Sequence, residues 1–241
     1  MSKIIAVCGA PYSGKTTATL KIAQEVYFSS NQPVLFVSPD TNRPTLSYIF
    51  PRSKDSDLFS LGVALDKTTI TREDILKQTV STDNMKNFGF LGLKTGENKH
   101  SYPLPTEDKV KEFLNACSGI APFVFVDCAS CFDDLISEIA MREADINIQL
   151  ISADLCAMGY YSAYEERYNS ISDKCIKVIN IRDNDIFLPI EEVKSHFGDV
   201  KFILPYSRHL KHQAITGTLF EKIPDPKYKK ACWDISRAVL K

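Results

Sequence analysis

Ile4-Ile5-Ala6-Val7-Cys8-Gly9-Ala10-Pro11-Tyr12-Ser13-Gly14-Lys15-Thr16-Thr17 opens the chain with an apolar run, a turn bounded by two glycines and a lysine that begins an amphipathic stretch. Residues 4–8 read as a buried strand and residues 15–28 as a helix, so the Gly-x4-Gly-Lys-Thr pattern of 9–16 falls between strand and helix, the context that motif requires. The glycines allow a tight turn and close backbone approach, and the helix beginning near Gly14 aims free N–H groups and its positive end at an anion. Gly9, Ala10, Pro11, Tyr12, Ser13, Gly14, Lys15, Thr16 and Thr17 are therefore the expected cradle for the phosphates of a nucleotide, with Lys15 on the terminal phosphates and the Thr16 hydroxyl on Mg²⁺.

Working outward, short apolar runs at 34–37, 88–93, 123–126, 146–151, 175–179 and 201–204 are separated by longer amphipathic stretches at 108–117, 133–143, 155–168, 190–197 and 227–240. That alternation predicts an α/β fold, a mainly parallel twisted sheet with helices on both faces, because strands buried on both sides read as continuous apolar runs. Thr71-x-x-Asp74 is a capping signal for a further helix through Thr79. Residues 51–87 hold short helical pieces and polar turns, and 95–106 read as a polar loop. With no internal repeat and no long linker, residues 1–241 are expected to form one domain.

Two acids extend the site. Phe123-Val124-Phe125-Val126-Asp127 is an apolar strand ending in a carboxylate, which in such proteins holds the Mg²⁺ shell; alone, it reads equally well as a turn residue. Val34-Leu35-Phe36-Val37-Ser38-Pro39-Asp40 repeats the pattern, and the carboxyl ends of parallel strands are where ligands gather. Asp40 is thus a candidate to position or deprotonate the attacking water or to help order the metal, against the plainer reading of a turn aspartate before Thr41-Asn42.

The chain resembles the MinD/ParA-type ATPases, the partition and cell-positioning branch of P-loop proteins. Four segments carry the likeness: residues 5–17, residues 33–51, FVFVDCASCFDDLISEIAMREAD at 123–145, and KFILPYSRHLKHQAITGTLFEK at 201–222, the last as strand, helix and glycine-containing loop. The resemblance implies a nucleotide-dependent homodimer that sandwiches two ATP molecules, a protein partner, Asp40 serving the hydrolytic water and Asp127 the metal. It also places Asn180 and Pro205 against the adenine. Departures accompany it. Where such ATPases carry a signature lysine after the first loop glycine this chain has Ala10, Pro11 lacks an N–H, and Cys128-Ala129-Ser130 replaces the usual Thr-Pro-Pro. Loss of a cation aimed at transition-state charge implies slow or partner-activated hydrolysis. ATP rather than GTP rests on the resemblance, since no Asn-Lys-x-Asp guanine signature is present.

Lysine plus arginine (29) nearly balance aspartate plus glutamate (30), so no global field steers the chain toward nucleic acid or lipid. Locally, Arg208, His209, Lys211 and His212 form a basic turn, with Lys222, Lys227, Lys229 and Lys230 downstream; such a run is either a non-specific DNA contact or, more commonly, a solvated face. The final stretch spaces Tyr228, Ala231, Cys232, Ile235, Ala238 and Val239 as a helix face, read as docking on the core in preference to a membrane-seeking tail. Seven scattered cysteines predict reduced thiols, and the short apolar run before Gly9 is no leader or span, so a cytoplasmic location is expected. Cys128-x-x-Cys131 is one pair without a second, favouring packed thiols over a metal site. The rival functions are a small-molecule kinase or ligase whose acceptor pocket uses residues 95–106, and a nucleotide-holding module without turnover.

Overall fold

In the computed structural model the described residues are 2–131 and 133–241; Met1 and Phe132 lie outside them. The strands are β1 (Lys3–Gly9), β2 (Val34–Ser38), β3 (Val80–Thr82), β4 (Met85–Gly92), β5 (Phe123–Asp127), β6 (Ile146–Ser152), β7 (Cys175–Asn180) and β8 (Val200–Leu204). They form one eight-stranded sheet in the order β3-β4-β2-β5-β1-β6-β7-β8. Every pairing is parallel except the edge hairpin β3–β4. All the apolar runs expected as strands are strands; β3 has three residues and no apolar run to announce it.

The helices are α1 (Lys15–Ser30), α2 (Leu46–Ile49), α3 (Leu61–Leu65), α4 (Arg72–Lys77), α5 (Glu107–Ser118), α6 (Leu135–Glu143), α7 (Leu155–Ala163), α8 (Glu165–Asn169), α9 (Ile190–Phe197), α10 (Arg208–Thr216) and α11 (Pro226–Leu240). Alternation along β1 sends Ile5 and Val7 into one core with α1, α10 and α11, and Ala6 and Cys8 into the other with α5, α6 and α7. The first core is aromatic where Phe36, Phe50, Phe88, Phe90 and Phe220 pack at centroid distances of 4.8–6.2 Å.

Several expectations shift. The Thr71/Asp74 capping box is present, but α4 ends at Lys77, two residues before Thr79. The single helix expected over 155–168 is broken at Tyr164, whose N–H donates three residues back to Tyr161 O at 3.2 Å, a tight closing turn after which the chain restarts as α8. The basic turn at 208–212 is the start of α10, capped by the Ser207 hydroxyl accepting from Leu210 N–H. Helix α11 docks on α1, burying Tyr228, Cys232, Ile235 and Val239. Among the described residues no helix is long and apolar enough to cross a membrane.

Candidate functional site

β1 lies between β5 and β6 at the centre of the sheet, so the loop that leaves it emerges beside the end of β5. That loop turns through Tyr12 (φ 60°) and Gly14 (φ 84°), both left-handed, and enters α1 with Gly14 as N-cap. The first bond of the helix runs from Ala18 N–H to Gly14 O at 3.0 Å, leaving the amides of Lys15, Thr16 and Thr17 without a helical acceptor at the mouth of a cavity of about 430 Å³. Tyr12, Ser13, Gly14, Lys15, Thr16 and Thr17 line it on one side and Asp40, Arg43, Tyr48, Asp127 and Arg182 on the others. Gly9, Ala10 and Pro11 do not. Gly9 and Ala10 run beneath, with Leu150 O only 2.5 Å from where a β-carbon on Gly9 would stand.

The polar groups of the site bond to one another. The buried Lys15 ammonium donates to Gly9 O at 3.2 Å, to Ala10 O at 3.1 Å and to the Ser130 hydroxyl, which in turn donates to Gly9 O at 3.1 Å. Burial lowers the Lys15 pKa, and Asp127 opposes the shift. The Thr16 hydroxyl donates to Asp127 Oδ2 at 2.7 Å and that of Thr19 to Oδ1 at 3.4 Å. Burial pushes Asp127 up to about 6, against the pull of Thr16 and Lys15. Asp40 accepts the amides of Asn42 (2.9 Å) and Arg43 (3.1 Å) and meets Arg43 Nε at 3.7 Å. Turn residue and cavity residue are thus both true of Asp40.

The donor set fits Mg²⁺ and a polyphosphate. A hydroxyl and two carboxylates are hard oxygens of the kind Mg²⁺ takes, and the Ser13 hydroxyl is buried at the cavity wall without a hydrogen-bond partner among the described residues. Asn180 and Pro205 stand at the ends of β7 and β8 but do not line this cavity: the Asn180 amide donates to Ser13 O at 2.8 Å, bracing the loop from behind. Cys128 is buried under the site while Cys131 is exposed. Four residues of the site carry no local signal. Ser130 and Tyr161 meet the loop only through the fold, Tyr161 by accepting Ala10 N–H at 3.1 Å and donating to Leu150 O at 2.5 Å. Arg43 and Arg182 look like ordinary surface arginines in the sequence.

A phosphate-type loop between a central strand and helix, faced by an acid at the end of the neighbouring strand, defines a P-loop nucleotide-binding fold. Solved structures narrow this to the MinD/ParA form. Pyrococcus horikoshii MinD with Mg-ADP is similar over 100% of this chain and 97% of its own at 17% identity and TM-score 0.78. A Chlorobium tepidum ParA family ATPase matches at 10% identity, 98% of each chain and TM-score 0.77. Aquifex aeolicus MinD, in a MinC:MinD cell division complex, matches at 16% identity, 99% and 96% coverage and TM-score 0.72. This chain therefore has the MinD/ParA-type P-loop fold, at identities that carry fold and nothing finer. No protein-family model and no curated protein sequence matches it.

Proposed function

We propose that the chain binds Mg-ATP in the cavity above α1 and works as a nucleotide-switched dimer that positions, partitions or assembles a cellular cargo in the cytoplasm, hydrolysing ATP slowly or on contact with a partner. The observation that carries this reading is the convergence of Lys15, the Thr16–Asp127 pair and the free amides of α1 on one cavity. Lys15 would exchange its loop carbonyls for terminal phosphate oxygens. Thr16 and Asp127 would hold Mg²⁺, which, when bound, neutralises phosphate charge. Asp40 would orient the water. Slow turnover follows from Ala10, which is buried with its amide on Tyr161 and brings no charge to the mouth.

A second copy of the chain and a protein partner are the expected partners. Exposed Arg208, His209, Lys211 and His212 on α10 would provide any non-specific DNA contact. Titration calorimetry with ATP and GTP, with and without Mg²⁺, tests the reading. ATP binding that needs Mg²⁺ and is lost in Lys15→Ala supports it, and so do dimers seen by light scattering with a non-hydrolysable ATP analogue but not with ADP. No binding of either nucleotide refutes it, and isolated turnover far above about 1 s⁻¹ refutes the slow switch.

The small-molecule kinase or ligase has one observation in its favour. Asn98, Lys99, Tyr102 and Leu104 of the 95–106 loop line a separate cavity of about 370 Å³, together with Thr41 and Asn42 of the turn that follows Asp40. ATP consumption that stays monomeric and depends on an added small acceptor would favour this reading over the dimer.

A further inference from the structure

Among the described residues lining the nucleotide cavity the cations are Lys15, Arg43 and Arg182. Lys15 is held inside the loop by two carbonyls and a hydroxyl. Arg182 reaches Asp154 with its Nη1 3.7 Å from Oδ2. Arg43 is differently placed: its guanidinium lies 5.2 Å from the centre of the Tyr12 ring, on the tip of the phosphate loop, and its Nε is 3.7 Å from Asp40 Oδ2. It bridges the loop and the candidate water-positioning acid. Its backbone amide is tied to Asp40 Oδ1 as well, so the carboxylate fixes where the side chain starts. The Arg43 side chain is half exposed although Asp40 is mostly buried, and at 3.7 Å a contact with one partner open to solvent is weak, so releasing it costs little. Arg43 is also felt at Lys15, whose amine it pushes further down, which puts both cations in the field of one cavity. The chain lacks a lysine after Gly9, and Ala10 is buried away from the mouth.

We propose that Arg43 is a second cation, beside Lys15, that reads the terminal phosphate of ATP: its guanidinium exchanges Asp40 for the γ-phosphate oxygens. The planar guanidinium matches a phosphate edge with two parallel N–H···O bonds, stronger than its contact with Asp40. Asp40, relieved of the ion pair, then has a free carboxylate oxygen for the attacking water. With ADP there is nothing for the guanidinium to reach, and the Asp40–Arg43 pair stays closed. The pair is thus the element that distinguishes triphosphate from diphosphate, within one subunit. This inference rests on the Mg-ATP reading above.

Calorimetry on the full chain with Mg²⁺, using a non-hydrolysable ATP analogue and separately ADP, tests it with wild type, Arg43→Ala and Arg43→Lys. Arg43→Ala is expected to weaken analogue binding by about 10- to 100-fold, the range of hydrogen bonds to a charged group, and ADP binding by less than about threefold. Arg43→Lys, which keeps the charge and loses the fork, should fall between. Equal losses for both nucleotides, or none for the analogue, overturn the inference while leaving the nucleotide reading intact. Wild type that binds neither nucleotide sinks that reading and the inference with it. Should Arg43→Ala fail to melt cooperatively, the comparison of Arg43→Lys with wild type decides by the same criterion.

Discussion

Gly14→Ala tests whether the loop's shape is held by the residue at the end of β7. A β-carbon at position 14 would stand 2.6 Å from Asn180 Nδ2, where ordinary contact begins at 3.4 Å, so the amide must retreat by about 0.8 Å. Retreat breaks its 2.8 Å bond to Ser13 O. Losing that bond and orphaning a buried carbonyl costs about 1–3 kcal/mol. The left-handed φ of 84° adds about 1–2 kcal/mol once a β-carbon is present. The expected destabilisation is therefore about 2–5 kcal/mol, read by urea denaturation followed by far-UV circular dichroism at unchanged slope. Asn180→Ala alone, which loses the same bond, should cost about 1–3 kcal/mol. Because the clash and the bond involve the same amide, the double variant should cost about as much as Gly14→Ala alone, a coupling of 1 kcal/mol or more by estimate. Single costs that add to within about 0.5 kcal/mol, or a Gly14→Ala protein as stable as wild type, would refute the bracing role of Asn180.

Three further outcomes follow from buried groups. Asp127 keeps its proton to about pH 6 when folded, against 3.8 for the ordinary carboxyl, so between those values the native state holds more protons and its stability falls as pH rises. The loss reaches about 1.4 kcal/mol per pH unit, so nucleotide-free Asp127→Asn should gain on wild type from pH 4 to 6 and hold that gain at pH 7.5; a difference that is flat across this range refutes it. Lys21 is fully buried on α1 and donates to Leu219 O at 2.5 Å and Glu221 O at 2.6 Å, so Lys21→Met, which strands both carbonyls, should cost about 2–4 kcal/mol in chemical denaturation. Tyr161→Phe removes the hydroxyl shared by Ala10 N–H and Leu150 O; it should cost about 1–3 kcal/mol and weaken nucleotide binding in calorimetry, without changing the preference between ATP and ADP.

The sheet was legible because its strands are buried on both faces. Residues 34–37 or 123–126 have no polar side to alternate with, and that continuity is itself the parallel-sheet signature. β3 was illegible for the opposite reason: three residues at an edge, Val80 buried and Ser81 exposed, owe their conformation to pairing with β4 rather than to their own pattern. The site divides along the same line. Lys15, Thr16 and Asp127 are readable because motif and strand end are local signals. Ser130 and Tyr161 reach the loop from 121 and 151 residues away, and no local pattern marks them. Asn180, which the resemblance places against the adenine, stands at the end of β7 with its amide on Ser13 O, a direction that no sequence pattern sets.

The internal contacts of the site bear on how it would respond to nucleotide. Each charged group already has a substitute for its proposed ligand: carbonyls for phosphate at Lys15, threonine hydroxyls for a metal at Asp127, and the Asp40–Arg43 pair for the triphosphate end. Binding would then exchange partners instead of ordering loose side chains, so little rotamer entropy remains to be lost and the loop has little reason to rearrange. Affinity in such a site is set by how much stronger the new contacts are than the old. Neutral carbonyls at 3.1–3.2 Å are modest competitors for an ammonium, whereas Thr16 at 2.7 Å on a buried Asp127 is a closer one. On the proposed reading, discrimination would fall to the weak contact of Arg43 with Asp40, where the presence or absence of a single phosphate would have the greatest leverage.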